Sequence, residues 1–154
     1  MEIATVRNAM ITQMKGDTAL AAEFLTTQIS YGLGNQIKAA DILPKAIRVV
    51  QLGRGEETPE EFGGGVTWVS VPYRFHVLAL FILDNDETEA DGEDRSSSYD
   101  RLIRKSISKD TTLGGSVRNT ELGRTFFLTH PEKSDMKLVL VEVTATSHEQ
   151  SDVR

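Results

Sequence analysis

Cysteine is absent from all 154 residues. That excludes a disulfide scaffold, a thiolate zinc site, an iron–sulfur cluster and a cysteine nucleophile. Basic charge is in deficit, with 17 Lys and Arg against 23 Asp and Glu and a formal charge of −6. This argues against nucleic-acid affinity spread over the whole surface and leaves only a local basic patch open. An uninterrupted apolar span is also missing. Val66 to Leu83 has the necessary length but carries Pro72, Arg74 and His76 near its middle, and a charge there costs roughly 2.5–3.5 kcal/mol by insertion scales. No membrane partner is expected. The first 30 residues mix Glu2, Arg7, Lys15, Asp17 and Glu23 with apolar positions, so no secretory signal is expected either.

Catalytic motifs are equally scarce. There is no Gly-x-Ser-x-Gly elbow and no phosphate loop ending in Gly-Lys-Ser/Thr. Gly63, Gly64 and Gly65 fall between expected strands, without the helix N-terminus a phosphate site uses. His76, His130 and His148 are scattered and lack the spacing of a helical zinc motif. Asp84 and Asp86 begin a calcium-loop pattern, but Glu89 stands at its sixth position and Arg95 at its twelfth. The sequence supports no enzyme, and no cofactor or metal is expected.

What is present suits one domain covering residues 1–154, with 39% hydrophobic and 26% charged residues. A chain of this size hides roughly 68–70% of its unfolded surface, enough for a core without cross-links. Ile3, Val6, Met10 and Met14 recur at helical spacing. Gly16 interrupts the pattern, and Asp17 or Thr18 offers the N-cap of a second helix, with Leu20 and Phe24 on one face and Leu25 and Ile29 beside them. That helix is expected to run to the Tyr31–Asn35 segment, where Gly32 and Gly34 end it. Lys45 to Leu52 reads as a strand. Residues 53–65, rich in glycine and glutamate, read as a flexible loop.

Val66 to Leu83 is the most informative stretch. Val69, Val71, Tyr73, Phe75, Val77, Ala79, Phe81 and Leu83 occupy every odd position, so one side of an extended strand meets a core. The even side changes from Ser70, Pro72, Arg74 and His76 to Leu78, Leu80 and Ile82. Such length implies either a bend or bulge near Pro72, the more ordinary expectation, or a strand reaching beyond its domain to another subunit. Asp84 to Asp94 follows, with seven acids in eleven residues; residues 84–97 are expected to form a mobile solvated loop. Ser96–Ser98 then offer N-caps for a helix to about Ser108, with Tyr99, Leu102, Ile103 and Ile107 as its apolar stripe and Arg101, Arg104, Lys105 and Lys109 outside it. Arg124–Thr129 and Met136–Thr146 read as a hairpin, and residues 147–154 as a polar tail.

The expected fold is α+β, a mainly antiparallel sheet of four or more strands with helices packed on one face. Without catalytic groups, the surface of the long strand is the natural binding candidate. Trp68, Tyr73, Arg74, His76, Leu78 and Leu80 are its candidate subunit or partner interface, although Trp68 serves equally well as a cap on its own core.

The run Leu102–Ile107, followed by Asp110-Thr111-Thr112-Leu113-Gly114-Gly115-Ser116-Val117, resembles the helix and Asp-x-x-Leu-Gly-Gly-x-Val turn of tail terminator proteins of long-tailed bacteriophages. The resemblance in element order extends from roughly Ile3 to Thr146. The acidic Asp84–Asp94 block departs from it, because family members often have a shorter connection there. The resemblance implies a virion protein assembled in the host cytoplasm into a hexameric ring that caps the tail tube and ends its polymerisation. It further implies the ring itself, the tail tube protein and a head-completion or connector protein as partners, with DNA passing through the lumen unbound. Six copies carry about −36 formal charges, and an acidic lumen repels phosphates. The segment holding Asp84, Asp86, Glu87, Glu89 and Asp91 is accordingly expected at the lumen or in solvent. A neck connector or tail tube subunit of related fold is the alternative. A small enzyme or ligand-binding domain is the third reading.

Overall fold

A computed structural model of the chain describes residues 1–32, 45–60, 68–131 and 133–150. The helical spacing at the N-terminus produces α1 (Ile3–Lys15), whose Val6, Met10 and Met14 are fully buried. Asp17 caps α2 (Thr18–Glu23), accepting from the amides of Ala19 at 2.9 Å and Leu20 at 3.2 Å. The strands are β1 (Ile29–Tyr31), β2 (Lys45–Arg54), β3 (Thr58–Glu60), β4 (Trp68–Ile82), β5 (Asn119–Thr129) and β6 (Met136–Gln150), with α3 (Glu89–Ser108) between β4 and β5. They form one sheet in the order β1-β2-β4-β6-β5, and β3 also pairs with β4. Every pairing is antiparallel except β1 with β2. The β4–α3–β5 connection therefore crosses to a strand parallel to β4, with β6 inserted between them.

The fold is α+β, with its helices on one face of the sheet. Side chains of α1, α2 and α3 share a single core with Val69, Val71, Tyr73, Phe75, Val77, Ala79 and Phe81 of β4 and with Val139, Val141, Val143 and Ala145 of β6. Phe24 and Phe81 both meet Tyr99 edge-on, with centroids 4.9 and 5.1 Å away. The odd-position alternation and the Tyr99, Ile103 and Ile107 stripe thus face the same interior.

Several boundaries differ from the sequence expectation. The second helix stops at Glu23; Phe24 is extended, and Thr26–Gln28 make a single 3-10 turn. Ile29 enters β1, where parallel pairing with Ile47 of β2 replaces helical bonds. The Leu33–Asn35 end and the Gly63–Gly65 run lie outside the described residues. Of the expected loop over 53–65, Gly53 and Arg54 continue β2 and Thr58–Glu60 form β3. The expected loop over 84–97 is mostly helix. Thr88 and Asp91 form a reciprocal capping box, and Glu89 and Asp91 lie in the first turn, where the helix dipole favours negative charge over the repulsion among neighbours. Of the expected tail, Ser147–Gln150 belong to β6, paired residue for residue with Trp68–Val71.

β4 carries no bulge at Pro72 and does not project past its sheet, because β6 pairs with all fifteen of its residues without a register shift. The irregularity lies across from it, between Gln51 and Gly53 of β2. Pro72 sits where β2 gives way to β3, and its carbonyl accepts from Gly55 at 2.7 Å. A strand residue's N–H and C=O point to the same side, so the missing N–H falls at this handover.

Candidate interaction surface

The even side of β4 faces away from the helices, and among the described residues no helix covers it. It divides into an apolar end and a polar end. Leu78 and Leu80 form a second buried cluster with Ala46, Val50 and Met136, flanked by half-buried Ile82, Leu138 and Leu140. The strand register carries this band onward to β5, where Phe126 sits opposite Leu140 and Leu128 opposite Leu138. Phe126, Phe127 and Leu128 are all exposed on β5, the last strand in the sheet order.

The polar end gathers around Glu60 of β3. Its Oε1 accepts from the Ser70 hydroxyl and from Arg118 Nη1, while His148 Nδ1 lies 2.5 Å from Oε2. The Ser70 hydroxyl is the main reason that the Glu60 carboxyl stays below its usual pKa; Arg118 and His148 add to this and burial opposes it. His148 also stacks on Trp68, with centroids 4.6 Å apart and planes 11° from parallel. A carboxylate standing between serine and imidazole holds both in place. It is not the arrangement of a nucleophile with its base, which needs the imidazole against the hydroxyl.

Five of the six candidate interface residues share this face: Trp68 and Arg74 toward the polar end, His76 between, Leu78 and Leu80 within the apolar band. Tyr73 does not. It is an odd-position residue, buried in the helix-side core, and its hydroxyl donates to Glu149 at 2.9 Å and lies 3.0 Å from the Met1 carbonyl. Burial and the neighbouring Glu149 push the phenol's pKa up. The sequence reading missed the Phe126–Leu128 run as a surface. Three large apolar residues in succession on a hairpin strand were the available signal, since alternation buries at most every second one.

The acidic segment is anchored at defined points. Glu87 accepts two bonds from Arg95 Nη1, at 2.8 and 3.0 Å, and the Arg95 guanidinium lies 4.5 Å from the Phe81 ring centroid. Glu89 bonds Lys137 at 2.8 Å. Asp84, Asp86 and Asp91 are exposed.

The turn after α3 explains its own sequence. Asp110 accepts from the Thr112 amide and hydroxyl and from the Gly114 amide at 3.0, 2.6 and 2.9 Å. Those bonds, the hydroxyl's foremost, hold its carboxyl below the ordinary pKa. Leu113, Gly114 and Gly115 have φ of 51°, 71° and 85°, which glycine accepts without strain and leucine does not. Burial of the Leu113 and Val117 side chains in the core compensates.

A depression of about 560 Å³ beside this turn is lined by Gln13, Asp17, Lys109 and Asp110 among others. Its charged and amide side chains are held by other protein groups: Asp17 pairs with Lys109 at 2.8 Å, Asp110 accepts within its own turn, and Gln13 donates to the carbonyls of Ser106 and Ile107. Among the described residues, no group of three or more His, Asp or Glu converges as a metal site, and no helix is long and apolar enough to cross a membrane. Neither a protein-family model nor a curated protein matches the sequence.

Proposed function

We propose that this chain is a self-assembling virion protein of the tail terminator kind, forming a ring that caps a phage tail tube and offers a docking surface to the head. The observation that carries the reading is the run of exposed apolar residues Phe126, Phe127 and Leu128 on β5, beside polar clusters around Glu60 and Asp17 whose charged groups pair with one another. Such a surface favours protein association over chemistry on a small molecule. The α+β order and the Asp110–Val117 turn are consistent with the resemblance. In this reading the tail tube protein and a head-completion or connector protein meet the ring's two ends. The exposed acids Asp84, Asp86 and Asp91 face the lumen or solvent, and DNA passes without binding.

Light scattering across a concentration series, with negative-stain images of the same sample, tests the reading. Closed rings of about six subunits are expected, and adding them to growing tail tubes stops elongation. Open tubes of the protein itself favour the tube-subunit alternative. Rings that bind head connectors but leave tube growth unchanged favour the neck alternative. A monomer without effect on tubes overturns the proposal.

A further inference from the structure

Among the described residues, and apart from Met1, the large apolar side chains that stand exposed are Leu25, Tyr31, Leu52, Phe126, Phe127 and Leu128, from 40% to 65% accessible. They are not scattered. Tyr31 lies in β1, Leu52 is the bulged residue of β2 beyond its pairing with β1, and Leu25 lies shortly before β1, so three mark the β1 side of the described sheet. The other three are consecutive on β5 at the opposite edge. A monomer gains nothing from matched apolar patches at both sheet edges, and an open apolar edge is a recognised site of strand pairing between chains.

The charges beside the two edges are complementary. At the β1 edge, the Arg7 guanidinium lies 4.4 Å from the Tyr31 ring centroid and bonds only amide oxygens, those of Asn8 and Gln51, among the described residues. At the β5 edge, Phe127 and Leu128 border a groove of about 390 Å³ whose α3 wall includes Gly92, Ser96 and the exposed Glu93. Glu93 has no ion-pair partner among the described residues. Small residues keep that groove open enough for an inserted side chain.

We propose that a second copy of this chain seats its β1 edge, with Tyr31 and Arg7, against the β5 edge and groove of the first. The two patches differ, so the contact is heterologous: each copy uses one edge for each neighbour, and rotation closes the series into a ring. This rests on the ring reading above and assigns its subunit contact.

Two single variants of the full chain, Phe127→Asp and Tyr31→Asp, test it. Both positions are exposed, so circular dichroism should remain that of the unaltered protein. If either variant loses its fold, Leu128→Asp or Leu52→Asp replaces it. Each variant alone is expected to be monomeric where the unaltered protein assembles, with dissociation at least about thirty-fold easier, as for loss of a central aromatic anchor. Mixed together, they should stop at dimers, because only one intact β1 edge and one intact β5 edge remain to meet. Lys105→Glu, on the exposed face of α3, should still form rings. Rings that survive in either edge variant, or a mixture that stays monomeric, overturn this contact and leave the ring reading standing. An unaltered protein that stays monomeric at every concentration and leaves tube growth unchanged overturns both.

Discussion

The two faces of the sheet are built by the same strands and obey different rules. On the helix side, β4 presents only Val69, Val71, Tyr73, Phe75, Val77, Ala79 and Phe81, all buried against three helices. On the other side the same fifteen residues run from a polar cluster around Glu60 to an apolar band at Leu78 and Leu80. Period-two alternation lets one strand complete a core and, independently, vary its second surface along its length. The helix-side face therefore holds the larger buried cluster, and the opposite face holds a smaller one next to its polar end.

Substitutions can break or sharpen that contrast. Phe75→Ala, which empties the centre of the covered face, should cost about 3–5 kcal/mol in denaturant unfolding. Leu80→Ala, in the smaller buried cluster on the opposite face, should cost about 2–4 kcal/mol. A value near zero would show that this band contributes nothing to the folded monomer. Within the helical layer, Asp17 joins the start of α2 to Lys109 at the end of α3. Burial pushes its carboxyl pKa upward, but the Lys109 bond and the Leu20 and Ala19 amides outweigh this and leave it lowered. Removing the cap with Asp17→Ala should cost about 1 kcal/mol. Because the folded pKa lies below the unfolded one, the carboxylate's stabilisation is complete above the unfolded value. It is lost as pH falls through the folded value, so Asp17→Asn should flatten the loss of stability below about pH 4. Smallest of all, Arg74→Ala, at an exposed position toward the polar end of the face opposite the helices, should change unfolding by at most about 0.5 kcal/mol.

Parts of this arrangement are legible in the chain because they are local. The odd-position run of β4, the Asp17 cap and the stripe of α3 each rest on neighbours within a few residues. β1 is not legible, because three residues in a strand are stable only against β2, which lies far along the chain. Nor is the helical start of the acidic segment: charge repulsion argues for a loop, whereas the Thr88–Asp91 box and the helix dipole decide otherwise. The polar residues Ser147–Gln150 become strand because β4 offers them partners to its very first residue. The candidate surface was legible in parity alone. Tyr73 shares the odd register of the core and belonged there, while Trp68, Arg74, His76, Leu78 and Leu80 share the even one.

Local sequence thus determined the α+β class, the inward parity of the long strand and the turn at Asp110–Gly115, where short-range hydrogen bonds and left-handed backbone suffice. Only the tertiary structure decided which strand ends at which edge, and so which apolar residues remain exposed. Exposure is a property of what packs nearby, and for Tyr31 and for Phe126 to Leu128 that is set by strand order rather than by their own neighbours in the chain.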